Sequence, residues 1–123
     1  GVSSAASDVY KRQPQRGDVV VFEAPDDPDT LYVKRVIGVG GDTVEVQDGE
    51  VLVNGQVQDE PYIKEITEGD FGPYHVPEGC YFMMGDNRNK SLDARFWQNT
   101  YVEKDAILGK VVLRYYKGLK IID

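Results

Sequence analysis

Two stretches of this chain hold side chains that could do chemistry where packing alone would not ask for them. The first is Tyr32-Val33-Lys34-Arg35-Val36-Ile37, in which two cations interrupt an apolar, β-branched run. Successive side chains of a strand point to opposite faces, so if one face is buried Lys34 and Arg35 cannot both reach solvent. Desolvation disfavours the ammonium form of a buried lysine, and a neutral amine is a competent base toward a serine hydroxyl. A buried arginine stays charged and needs a carboxylate, such as Asp86 or Asp93. The division this suggests puts Lys34 at a reaction site and Arg35 in an ion-paired scaffold. A lysine snorkelling from an edge strand is the plainer alternative.

The second stretch is Gly85-Asp86-Asn87-Arg88-Asn89-Lys90-Ser91-Leu92-Asp93-Ala94-Arg95, directly after the apolar run Tyr81-Phe82-Met83-Met84. Loops this rich in charge are commonly solvated turns. Here the loop also offers the carboxylates that a buried Arg35 would require.

Other chemistries find little support. A net charge of −7 argues against a nucleic-acid partner, which draws on clustered Lys and Arg. One cysteine, Cys80, leaves no disulfide framework, and with one histidine, His75, a zinc site is not expected. Cys80 reads as a small core residue and His75 as a surface or capping residue. Asp26-Asp27-Pro28-Asp29 lacks the alternating ligands, glycine and distal Glu of a calcium loop and reads as a solvated turn. Gly38, Gly40 and Gly41 precede no helical pattern, so they do not suggest a nucleotide loop. No metal or cofactor is expected.

The elements that would position these residues are strands. Val19-Val20-Val21-Phe22 and residues 31–39 read as two of them, separated by a Pro- and Asp-rich turn over residues 24–29. A turn at Gly40-Gly41-Asp42 leads to a hairpin, Val44-Glu45-Val46 and Val51-Leu52-Val53 around Asp48-Gly49. Asn54-Gly55 signals another turn, and the polar residues 56–73 read as a surface connection. Residues 81–84 form a buried-type strand and residues 106–116 a long closing one, with a short helical turn allowed near residues 93–98. Many short strands and no long amphipathic helix predict an all-β fold, barrel-like or sandwich-like. No run of 18 apolar residues is present.

Three stretches resemble the signature boxes of bacterial type I signal peptidases, in matching order and spacing: Arg16-Gly17-Asp18-Val19-Val20-Val21-Phe22; Tyr32-Val33-Lys34-Arg35-Val36-Ile37-Gly38 with Gly41-Asp42; and residues 85–95. The resemblance implies a Ser–Lys endopeptidase that removes signal peptides, after small residues, from secretory preproteins. It makes Lys34 the general base and Ser91 the hydroxyl that orients its amine. Arg35, Asp86, Asn87, Arg88, Asp93 and Arg95 become the scaffold, and Leu31, Tyr32 and Val33 a strand edge for extended substrate. Ala94 stands where the family often has serine. The resemblance also implies a parent in the cytoplasmic membrane of a bacterium, with its catalytic domain on the outer face.

The family nucleophile lies in a Ser-Met-x-Pro-type stretch upstream of the Arg-Gly-Asp box, and these 123 residues contain no Ser-Met pair. Residues 3–13, SSAASDVYKRQ, match in frame the translation of a transposase sequencing adapter. The expectation is therefore a disordered adapter translation over residues 1–13. Residues 14–123 would be a truncated catalytic domain, soluble by itself, inactive and without its serine. Two alternatives stand beside this reading: a self-cleaving repressor-type Ser–Lys protease, and a non-catalytic β-rich binding module.

Overall fold

In the computed structural model, which describes residues 13–111, the valine-rich runs become antiparallel strands. They are β1 (Val19–Ala24), β2 (Asp27–Val39), β3 (Thr43–Gln47), β4 (Glu50–Val53), β5 (Gln56–Val57), β6 (Phe71–His75), β7 (Cys80–Met84), β8 (Val102–Glu103) and β9 (Ile107–Lys110). Two sheets result, one in the order β8-β7-β2-β1-β9 and one in the order β5-β4-β3-β6. One 3-10 turn, Lys104–Ala106, is the sole helical element among the described residues. The fold is all-β, as expected.

Alternation builds the core. Val44 and Val46 of β3, and Val51 and Val53 of β4, turn inward, while Glu45 and Leu52 between them stay partly exposed. They meet Val20, Phe22, Val36, Phe82 and Met84 from the larger sheet in one cluster. Burying an aliphatic or aromatic side chain of this size contributes about 1.5–3 kcal/mol, which makes this cluster the main cohesive element. The sheets approach closely at Gly38, where an added Cβ would lie 2.6 Å from Val44 Cγ2.

Asp48 and Gly49 adopt φ of 53° and 81°, the paired left-handed conformation of a two-residue hairpin turn. Asn54 and Gly55 repeat it between β4 and β5.

Two expectations need correction. The turn over residues 24–29 shrinks to Pro25-Asp26, because β2 starts at Asp27 and pairs with Ala24. Asp26 stays exposed, as a solvated turn requires, and its carboxylate also accepts the N–H groups of Gln98 and Asn99 at 2.9 and 2.8 Å. Those two bonds hold its carboxyl below the ordinary range. Residues 56–73, read as a surface connection, contain β5 and the start of β6, and bury Thr67. Their pattern hides this because β6, Phe-Gly-Pro-Tyr-His, is an edge strand, where proline costs no ladder bond. The long closing strand is seen as β9 alone; residues 112–123, like residues 1–12 of the N-terminal segment, lie outside the described residues.

Candidate active site

β2 is the middle strand of the larger sheet, flanked by β1 and β7, and carries both cations near its centre. Lys34 pairs across the ladder with Val20 and shares its inward face, leaving it 2% exposed. Its Nζ donates a hydrogen bond to Ser91 Oγ at 3.1 Å and stands 5.1 Å from the centre of the Tyr32 ring. Tyr32, two residues earlier on the same face, stacks on Trp97 at 5.6 Å, and Phe22 meets Trp97 edge-on. An aromatic wall therefore flanks the amine.

Arg35 faces the other way. Its Nε and Nη2 grip Asp86 Oδ1 and Oδ2 at 2.8 and 2.7 Å, and Nη1 donates to Gly17 O. The guanidinium lies 3.8 Å from the centre of the Tyr62 ring. A bidentate pair capped by an aromatic face fixes this side chain in one orientation.

Ser91 belongs to the 85–95 loop, which is tied to itself at both ends. Gly85 N–H donates to Asp93 Oδ2 at 3.0 Å. Arg95 reaches both oxygens of Asp93 through Nε and Nη2, and the same Nη2 donates to Arg88 O. Arg88 Nε donates back to Gly85 O at 2.8 Å. Inside this ring, the N–H groups of Lys90 and Ser91 both point at Asn87 O. Ala94 is buried and donates its N–H to Met83 O, which docks the loop on β7.

The structure brings Arg35, Asp86, Arg88, Asp93 and Arg95 together where this loop meets β2, and Asn87 takes part through its backbone carbonyl. Glu60, Tyr62 and Thr67 were missed. Glu60 pairs bidentately with Arg88, and Thr67 accepts from it at 3.3 Å. Tyr62 donates to Glu60, and burial, followed by the Glu60 charge, pushes its hydroxyl pKa up to about 12. A charge count offered a signal. Three arginines, 35, 88 and 95, stand against two aspartates, 86 and 93, so one carboxylate had to come from elsewhere.

Asp42 anchors the turn between the sheets. It accepts Arg16 Nε and Nη2, both at 2.8 Å, together with Val39 N–H and Asn54 Nδ2. Burial pushes its carboxyl up, but those bonds and the Arg16 charge outweigh it and hold the pKa below its ordinary value.

Leu31, Tyr32 and Val33 pair with Glu23, Phe22 and Val21 of β1, whereas β7 pairs with β2 only from Arg35 onward. On the β7 side residues 31–33 therefore carry no partner strand among the described residues. His75 lies apart, on β6, with Nδ1 3.1 Å from Thr43 Oγ1. Cys80 is half-buried against the core rather than inside it, and burial pushes its thiol pKa up. No group of three His, Cys, Asp or Glu residues suited to a metal occurs among the described residues. No helix among them is long and apolar enough to cross a membrane.

Comparison with known proteins agrees with this architecture. The family model described as "Signal peptidase, peptidase S26" matches residues 3–116. A signal peptidase I of Leptolyngbya laminosa is 40% identical over 110 residues, covering 84% of this chain and 53% of that protein. One from Bacillus licheniformis is 44% identical over 96 residues, covering 70% and 51%. The chloroplastic thylakoidal processing peptidase 1 of Arabidopsis thaliana is 36% identical over 124 residues, covering 93% and 36%. The crystal structure of a signal peptidase I from Enterococcus faecalis superimposes with a TM-score of 0.72 at 31% identity, covering 82% of this chain and 98% of that one. The all-β fold is thus shared with a signal peptidase I of known structure. The chain belongs to the signal peptidase family, peptidase S26. It spans about half the length of the first two of these relatives, and about a third of the Arabidopsis one.

Proposed function

We propose that this chain is the base-bearing part of a signal peptidase I, a serine endopeptidase that cleaves signal peptides from secretory preproteins by a Ser–Lys dyad. The observation that carries the proposal is the Lys34 Nζ–Ser91 Oγ hydrogen bond at 3.1 Å, with Lys34 almost wholly buried.

The proposed mechanism follows from that geometry. Burial disfavours the ammonium form, so the Lys34 amine accepts the proton of the nucleophilic serine as its oxygen attacks the scissile carbonyl carbon. Lys34 then protonates the departing amine, leaving an acyl-enzyme. A water, deprotonated by the same amine, attacks the ester and releases the serine. Backbone N–H groups stabilise the oxyanion. Ser91 orients the amine, while Arg35, Asp86, Asn87, Arg88, Asp93 and Arg95 hold the loop that carries Ser91. Substrate adds as an extended strand along Leu31, Tyr32 and Val33, on the edge that β7 leaves open. The nucleophile is supplied by an upstream Ser-Met-x-Pro stretch, and the 123 residues alone are inactive. Residues 1–13 are read as adapter translation on their in-frame match. The parent acts in the cytoplasmic membrane of a bacterium, from its outer face, on preproteins with small residues before the cleavage site.

The test joins an upstream Ser-Met-x-Pro segment to this chain and follows hydrolysis of a peptide with an Ala-x-Ala site. Cleavage that needs both the joined serine and Lys34 supports the proposal; cleavage indifferent to Lys34 refutes it.

A further inference from the structure

Arg88 has no carboxylate of its own within the 85–95 loop. Asp86 is engaged by Arg35 and Asp93 by Arg95. The charge that answers Arg88 comes from 28 positions upstream, where Glu60 Oε1 and Oε2 accept Nη1 and Nη2 at 3.1 and 2.7 Å. The two side chains are 0% and 6% exposed. A guanidinium buried this deeply is tolerated only with a counter-charge beside it.

Arg88 also fastens the loop. Its Nε closes onto Gly85 O, and its own carbonyl receives Arg95, so its guanidinium and carbonyl tie the loop's opening residue to its last. The segment carrying Glu60 follows the loop further. Glu68 N–H donates to Asn89 Oδ1 at 2.9 Å, and Asn89 Nδ2 donates to Ile66 O at 3.0 Å. Residues 60–68 thus lie as a strap along the turn that presents Ser91.

We infer that Glu60 is a positioning residue of this site: acting through Arg88, it holds the loop so that Ser91 Oγ stays within reach of Lys34 Nζ. The inference rests on the proposed partnership of Lys34 and Ser91 and adds a residue outside the signature boxes to it. Glu60 works through the loop fastening, by its pair with Arg88.

The test is an NMR titration of the Lys34 side chain, through its 13Cε resonance, in the full 123-residue chain. Ser91→Ala, which removes the hydrogen bond to Lys34, should move the Lys34 midpoint by about one pH unit. Glu60→Gln should move it in the same direction, and adding Glu60→Gln to Ser91→Ala should produce no further shift. A role confined to stability predicts a lower melting temperature with the Lys34 midpoint unchanged. Should Glu60→Gln strand Arg88 and unfold the chain, Glu60→Leu with Arg88→Met removes the pair without leaving a buried charge, and must shift Lys34 likewise. If Ser91→Ala moves the midpoint while the folded Glu60 variants titrate as the parent chain, the positioning role is refuted and the Lys34–Ser91 partnership stands. If Ser91→Ala itself leaves the midpoint in place, the partnership fails and this inference fails with it.

Discussion

Lys34 and Arg35 are neighbours in β2 and face opposite sides of one sheet, each bonded to a different residue of a single loop. Lys34 meets Ser91 at 3.1 Å, and Arg35 grips Asp86 at 2.7 and 2.8 Å. The loop is therefore pinned to the strand on both faces, and a shift of either pair strains the other.

The Arg35–Asp86 pair should show measurable coupling. Its side chains are partly solvated, at 12% and 22% exposure, so screening reduces it below a fully buried pair. A double-mutant cycle of Arg35→Ala and Asp86→Ala, read by urea unfolding, should give about 1–2 kcal/mol. Additive effects would mean that the pair has no energetic role.

Asp93 is the more severe site. It is fully buried, accepts from Nε and Nη2 of Arg95 and receives Gly85 N–H. Asp93→Ala leaves Arg95 buried without a counter-charge and should cost about 3–5 kcal/mol, measured as a lowered urea midpoint. A loss below about 1 kcal/mol would show that the ring of bonds around the loop contributes little.

Asp42 makes stability depend on pH. Its folded pKa lies below the unfolded value, so the folded state gains from the ionised carboxylate. That contribution is complete above the unfolded Asp value of about 3.9 and disappears as pH falls through the folded one. Thermal unfolding of the parent chain and Asp42→Asn should differ at neutral pH and converge under acid. Parallel curves down to strong acid would contradict the assignment.

Gly38 should tolerate no side chain while Val44 faces it. Gly38→Ala should destabilise by about 1–3 kcal/mol, since the new methyl meets Val44 Cγ2 at 2.6 Å and Val76 Cγ2 at 3.3 Å. Adding Val44→Ala makes room for that methyl, so the pair should be less destabilised than the two single changes summed. Strict additivity in a thermal melt would contradict the close approach of the sheets.

Much of this is legible in the sequence. The opposite faces of Lys34 and Arg35 follow from strand alternation alone, and Asp48-Gly49 announces its hairpin through the need for positive φ. The bulge between Val36 and Gly38, which buries Val36 and Ile37 together, breaks that alternation and was not visible. Glu60 escaped notice because it lies in a polar segment without periodicity and meets Arg88 only through tertiary packing. Asp42 sat in a recognisable turn, but its bond to Arg16, 26 positions away, depends on how β2 folds back beside β1.

The most direct test of the account is cleavage of an Ala-x-Ala preprotein peptide by this chain joined to an upstream Ser-Met-x-Pro segment, with and without Lys34→Ala. The account predicts cleavage by the joined protein, a loss of about 10²–10⁴-fold or more on Lys34→Ala, and none by the 123 residues alone. Robust cleavage by the 123-residue chain, abolished by Ser91→Ala but not by Lys34→Ala, would make Ser91 the nucleophile and contradict the role given to Lys34.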